Sequence, residues 1–401
     1  MDATYEPTPP RLSYGRLFLR FLRFGLNAFG GPVAQIAMIR RALVEDEHWI
    51  SSARFNRLLA VMQVLPGPEA HELCVHLGIA ARGRFGGLLA GLGFMLPGLL
   101  LMLGVAWAYD RFLTETDAFD AALLGVQIVV LALIARAVRH IGGHALENRL
   151  LFGLAAGAFV ATLAGVSFWV ILATAGAVYG LMASGRRTAP WLALAAGLAA
   201  ALTLRLSGLD QAPTFAPMTE AVTEPGAVAL FWSGLKAGLL TFGGAYTAIP
   251  FVRADTVGRG WVEDGRFLDG VAFAGVLPAP LVIFCTFVGY LAGGWMGAAA
   301  ITFGVFLPAF AFSMVLYERL EAVVADPRLH RTLTGIAAGV VGLIAATLLQ
   351  LAWTTAGRVP SIWPALAILA LALIVIWRWR SRLAAPLVIA GGALLGHALL
   401  G

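Results

Sequence analysis

Residues 66–76 read Pro66-Gly67-Pro68-Glu69-Ala70-His71-Glu72-Leu73-Cys74-Val75-His76. Two prolines flanking a glycine interrupt a helix, and carboxylate and imidazole side chains follow at once inside an otherwise apolar stretch. Ionisable groups are costly to keep in such surroundings, so beside a helix break they mark a functional site by default. The break has a partner, because Pro278-Ala279-Pro280 recurs in a matching frame in the second half. Everything around the two breaks reads as membrane, and the pair predicts a duplicated helical membrane protein.

Composition supports this directly. The chain is 60% hydrophobic and 12% charged, whereas a soluble domain is about a quarter charged. Uncharged runs at 85–109, 150–185, 188–204, 270–317, 332–357, 359–377 and 383–401 set the minimum number of membrane elements. A crossing takes about 20 apolar residues, so the runs 150–185 and 270–317 each hold at least two. The net charge of +6 is spread over loops and helix ends, which suits topology signals and anionic headgroups and not nucleic acid. Cys74 and Cys285 lie in apolar segments and read as small buried residues, not as a disulfide. Residues 1–10 lack the basic-then-apolar order of a cleavable signal, so the first membrane segment is expected to serve for targeting.

The repeat extends well beyond the two proline breaks. Ala28-Phe29-Gly30-Gly31-Pro32 matches Thr241-Phe242-Gly243-Gly244-Ala245, and Arg40 falls on Arg253. Trp49 then pairs with Trp261, Pro66 and Pro68 with Pro278 and Pro280, Gly78 with Gly289, and Pro97 with Pro308. Each half therefore holds a Gly-Gly broken segment, a polar connection, a Pro-x-Pro broken segment, a long helix and three further helices. The expected organisation is an N-terminal tail (1–15), a first repeat (16–187), a linker helix with an external loop (188–225) and a second repeat (226–401).

Arginine placement orients the halves, since Lys and Arg collect in cytoplasmic loops. Arg11, Arg16, Arg20 and Arg23 precede the first Gly-Gly break, whereas Lys236 with Glu220 and Glu224 stand before the second. The bias reverses farther on, where Arg111 beside Glu115, Asp117 and Asp120 corresponds to Arg319, Arg328 and Arg331. Opposite bias predicts opposite orientation. The fold class is thus all-α polytopic, with two inverted-topology homologous repeats, broken helices and about 9–13 membrane segments, the spread arising because the broken segments either cross or re-enter. Counting from a cytoplasmic amino terminus puts the carboxyl terminus outside and leaves every arginine-rich loop inside except the one holding Arg358.

The breaks supply the candidate site. Glycine permits a terminating turn and proline suits a first helical turn, so Gly30, Gly31 and Pro32, their counterparts Gly243 and Gly244, and the breaks at Pro66, Gly67 and Pro278 each prime a new helix start. Such a start presents free N–H groups and about half a positive charge, an anion site in waiting. Plain kinks or close helix packing also use Gly and Pro in membranes; the recurrence of both breaks favours the site. Arg40 and Arg253 are the natural counter-charges, while Arg41, without an equivalent, reads as a headgroup anchor. Glu72 and His76 stand four apart on one face. With Glu69 and His71 they are the candidates for proton coupling, against the plain reading of a satisfied polar pair. The spacing is not that of a His-Glu-x-x-His metal site, and no metal or cofactor is expected.

At these residues the sequence resembles the chromate ion transporter family in its long two-domain form. The resemblance rests on Phe29-Gly30-Gly31-Pro32, Arg40, Trp49, Pro66-Gly67-Pro68 with Glu72, Leu73, His76 and Gly78, and Leu96-Pro97. Phe242-Gly243-Gly244 and Leu277-Pro278-Ala279-Pro280 extend it through the second half. It implies gradient-driven oxyanion transport in the bacterial inner membrane, as chromate export or movement of the isosteric sulfate. The chain departs from the family pattern at Gln35, where histidine is usual, and at Glu69 and His71, where small polar residues follow the break. A carboxylate added beside a dianion opposes binding unless it is protonated or paired with His71.

The expected function is secondary transport of chromate or a sulfate-like oxyanion, with the lipid bilayer as surroundings and a second copy of the chain (a homodimer) admitted as a partner. A proton-coupled metal or other cation carrier using Glu69, His71, Glu72 and His76 is the alternative. An intramembrane enzyme using His71, Glu72 and Cys74 ranks below both, because no full set of nucleophile, base and orienting group assembles. No Gly-x-x-x-x-Gly-Lys loop is present for ATP.

Overall fold

The computed structural model describes residues 7–62, 65–113, 119–182, 188–207, 225–241, 244–315, 317–318, 326–379, 381 and 383–401, and every regular element among them is helical. The first half supplies α1 (Tyr14–Leu26), α2 (Gly31–Arg40) with a π-helical turn (Arg41–Asp46), α3 (Ser52–Met62), α4 (Glu69–Ala108), α5 (Asp120–Ala145), α6 (Arg149–Leu163) and α7 (Phe168–Met182). After α8 (Ala189–Leu206) the order repeats as α9 (Ala227–Leu239), α10 (Ala248–Thr256), α11 (Asp264–Val276), α12 (Phe284–Val315), α13 (Pro327–Ala356), α14 (Ile362–Arg378) and α15 (Ala384–Leu400). Among the described residues, five helices are long and apolar enough to cross a membrane, and five apolar helices of 10–17 residues accompany them. The protein is therefore an all-α, multi-pass membrane protein.

Neither α4 nor α12 is a single rod. The backbone leaves the helix at Arg82 (φ −149°) and Gly83 (φ 68°), and again at Gly293 (φ −157°) and Gly294 (φ 59°). Side chains other than hydrogen resist such left-handed positions by about 1–2 kcal/mol. A Cβ on Gly78 would stand 2.6 Å from the Gly86 carbonyl oxygen, and one on Gly289 would stand 2.6 Å from the Gly297 carbonyl oxygen. The chain before each turn thus runs back against the chain after it, in backbone contact that only glycine permits. The segment 69–81 is about 20 Å long, two thirds of a hydrocarbon core of about 30 Å. It starts at a proline break and turns back, and the equivalent start of α12 does the same.

Small residues set the remaining contacts, as is usual between helices that share an apolar solvent. α1 lies along α4, where a Cβ on Gly93 would stand 2.8 Å from the Phe18 carbonyl oxygen, and α9 lies along α12, where a Cβ on Gly304 would stand 2.7 Å from the Leu235 nitrogen. The later helices exchange partners between the halves: α13 packs on α6 and α7, while α5 packs on α14 and α15. α4 and α12 meet each other at the centre. Cys74 and Cys285 are buried free thiols, as expected, and α8 buries only Pro190.

Gly78→Val is expected to destabilise the chain by about 3 kcal/mol or more, since backbone and not a flexible side chain fills the space. Gly104→Ala has open space and a better helix former, so it is neutral or slightly stabilising. Heating followed by fluorescence-detected size exclusion separates the two outcomes.

Candidate functional site

The Gly-Gly break forms as two left-handed residues, Gly30 (φ 88°) and Gly31 (φ 79°), with Pro32 in the first turn of α2 as expected. One turn on, the buried Gln35 amide donates from Nε2 to the Ala28 carbonyl at 2.8 Å and to the Ala279 carbonyl at 2.9 Å. Ala279 is the middle residue of the second Pro-x-Pro break. Reciprocally, the Gly67 N–H donates to the Thr241 carbonyl at 2.8 Å, at the edge of the second Gly-Gly break. Each Pro-x-Pro break is therefore bonded to the Gly-Gly break of the other half. Gly244 (φ 126°) leads through a 3-10 turn, in which the Thr247 hydroxyl returns to the Gly244 carbonyl at 2.7 Å, into α10. A second 3-10 turn, Leu281–Ile283, leads into α12. Gly243 lies outside the described residues.

The ionisable cluster sits on this joint. α4 begins at Glu69 with Pro68 as its cap, one residue later than the proline-first reading predicts, and the His71 and Glu72 N–H groups reach the Pro68 carbonyl at 2.8 and 3.1 Å. Glu72 is fully buried, and neither carboxyl oxygen has a hydrogen-bond partner among the described residues. Its Oε1 lies 2.5 Å from where a Cβ on Gly67 would stand, so the carboxyl folds back onto the break. His71, also fully buried, wedges its ring between Phe306 and Phe310 of α12 at 5.0 and 4.7 Å. Neither of its nitrogens makes a hydrogen bond of full geometry, although the Gly91 backbone lies alongside. Glu69 is buried beside them. His76 stands one turn farther along, against the Tyr317 ring at 4.5 Å, where Trp49, Arg54 and Leu58 line a cavity of about 20 Å³ with it.

Arg40 and Arg253 do equivalent work elsewhere. Arg40, at the last residue of α2, lies about 13 Å along the axis from Gly31 and donates to Ser52 at 3.0 Å and Asn56 at 3.2 Å, with Glu45 at 3.7 Å. Arg253 makes a bidentate pair with Asp264 at 2.6 and 2.7 Å and donates to Gln350 at 2.6 Å. Each arginine ties the helix after a Gly-Gly break to the start of the next helix.

The chromate transporter family profile matches residues 15–206 and 228–397, the two halves in turn. The chain belongs to the chromate transporter family. A chromate transport protein of Pseudomonas aeruginosa is 57% identical over 397 residues, covering 98% of this chain and 94% of the relative. One from Cupriavidus metallidurans is 30% identical over 403 residues, covering 97% and 94%. An uncharacterised transporter of Methanocaldococcus jannaschii is 26% identical over 353 residues. These relatives are named as transporters and not as enzymes, and no solved structure matches the chain.

The family motifs do not mark every buried polar group. Asp269 on α11 accepts from the Tyr109 hydroxyl at 2.8 Å and the Gln127 amide at 2.9 Å, and Arg358 donates to the Gln127 carbonyl at 3.0 Å. In the sequence Asp269 is the last charge before the run 270–317, and Arg358 is the exception to the cytoplasmic bias. Those two oddities were the available signals.

Gln35→Leu leaves the Ala28 and Ala279 carbonyls unpaired and is expected to cost about 2–3 kcal/mol. Arg253→Ala strands a mostly buried Asp264 and is expected to cost at least as much, whereas Arg40→Ala, with exposed partners, costs under about 1 kcal/mol. Thermal melts of the purified variants give the order.

Proposed function

We propose that the chain is a secondary active transporter that carries chromate, and the isosteric sulfate, across the bacterial inner membrane. The observation that carries this reading is the reciprocal bonding of the four breaks, Gln35 to Ala279 and Gly67 to Thr241. It gathers the starts of α2, α4, α10 and α12 about one joint between the halves. Each helix start offers about half a positive charge, so four of them match a dianion without any arginine in contact. Substrate-binding groups are then the N–H groups around Gly30, Gly31, Pro32, Gly67, Gly244 and Pro278, with Arg40 and Arg253 fixing the helices that carry them.

The halves are inverted with respect to one another, the amino terminus is cytoplasmic and the carboxyl terminus external. In this reading the half-length segments re-enter from opposite faces, and transport alternates by one half moving against the other around the joint. The chromate transport proteins among the relatives support the substrate class. Glu72 supplies the coupling. An ionised carboxylate folded onto the joint repels a dianion, so oxyanion binding is linked to proton uptake at Glu72, with Glu69, His71 and His76 as its neighbours along α4.

Labelled chromate bound to purified protein in weakly buffered solution tests this. The wild type is expected to take up protons on binding chromate at those pH values where Glu72 is ionised in the free protein, up to one per chromate bound. Glu72→Gln is expected to bind chromate without that uptake, and sulfate to compete in both. Equal proton uptake by the two proteins would remove Glu72 as the coupling group.

A further inference from the structure

The Asp269 network joins the two halves at one end of the molecule and has no counterpart at the other among the described residues. Tyr109 and Gln127 belong to the first half, Asp269 and Arg358 to the second. All of Asp269 but 1% is buried, and the Tyr109 ring is fixed edge-on against Phe287 at 5.0 Å and Phe273 at 6.0 Å. At the repeat spacing Asp269 falls on Arg57 and Gln127 on Ala338, so the network is not duplicated. About 38 Å away along α4, the halves meet through an exposed pair, Arg84 and Glu318 at 3.6 Å, with Arg84 also donating to the Met314 carbonyl at 3.2 Å. One end is thus closed by a buried network and the other by a surface contact.

The network differs in kind from a permanent brace. α11 is already braced to α10 of its own half by the direct, bidentate Arg253–Asp264 pair. In its middle, by contrast, Asp269 touches only neutral donors of the other half, and its counter-charge reaches it through Gln127. The Arg358 guanidinium lies over Gly265, where a Cβ would collide with it. Tyr109 just after α4, Gln127 from α5, Arg358 from the chain after α13 and Arg266 on α11 itself are the polar and charged groups that act on the carboxyl. The faces of α12 and α15 next to α11 present Phe284, Phe287 and Ile389.

We propose that Asp269 is a second proton-binding site and that the proton it takes up unlatches the two halves at this end. A proton on Oδ1 stands where the Gln127 amide hydrogen points, so that bond is lost and Arg358 loses the fixed acceptor that Gln127 presents. α11 then separates from α4 and α5, and the joint opens toward this face. The role rests on the alternating-access reading above, but the unlatching itself needs no substrate.

Hydrogen exchange of α11, measured on the full chain in nanodiscs, referenced to α13 and corrected for the chemical rate at each pH, tests the latch. Wild-type protection of α11 is expected to fall roughly tenfold between about pH 8 and about pH 5, the factor for losing one charge-assisted hydrogen bond. Asp269→Asn is expected to show the low protection at both pH values. Tyr109→Phe, which keeps the carboxyl, is expected to lower protection at high pH while retaining the pH dependence. Flat protection in the wild type, or a pH dependence that survives Asp269→Asn, would overturn the proposal. Because no oxyanion is present, loss of chromate transport and loss of the latch are read separately.

Discussion

In a bilayer every backbone N–H and C=O must find a partner inside the protein, and this constraint organises the whole molecule. A helix broken in the apolar interior leaves such groups open, and this chain breaks four. It closes the debt by bonding the breaks to one another across the halves, through the Gln35 amide on Ala279 and the Gly67 N–H on Thr241. The glycines follow from it, since Gly67 must admit both the Thr241 bond and the folded-back Glu72 carboxyl. The hairpin turns at Gly83 and Gly294 come shortly after the proline breaks that end at Pro68 and Pro280.

Charge is distributed sparingly around that joint. The conspicuous cations, Arg40 and Arg253, are answered by side chains of the neighbouring helix starts, so positive potential at the breaks comes from helix starts and not from guanidinium groups. Fixed dipoles suit a carrier, which must release what it binds, better than a buried arginine, whose pairing with a dianion would be hard to reverse. Three buried carboxyls, Glu69, Glu72 and Asp269, make no ion pair among the described residues. Glu72 lies on the joint without a partner, and Asp269 lies at one end among neutral donors.

Much of this is legible in the sequence, for a physical reason. Breaks in membrane helices need Gly and Pro, and duplication repeats those residues at a fixed spacing, so the all-helical fold, the broken segments and the matched elements can be read directly. The family could be read as well, because its motifs are those same breaks. The ring of Phe306 and Phe310 around His71, the Asp264 partner of Arg253 and the Asp269 network could not, since each joins residues far apart in the chain whose types are individually ordinary. Arg82 and Gly83 read as a loop between helices; their role as a tight hairpin turn depends on Gly78 and Gly86 touching, which only packing reveals. Arg358 is the instructive case. It broke the topology pattern in the sequence, and the structure ties it to a buried carboxyl through Gln127.

The most direct measurement is entry of labelled chromate into proteoliposomes holding the purified chain, with and without an imposed pH gradient and with sulfate as competitor. Gradient-dependent entry that sulfate inhibits is the expected result. Absence of oxyanion movement in either orientation of the gradient, with the protein folded, would contradict a joint built to hold a dianion.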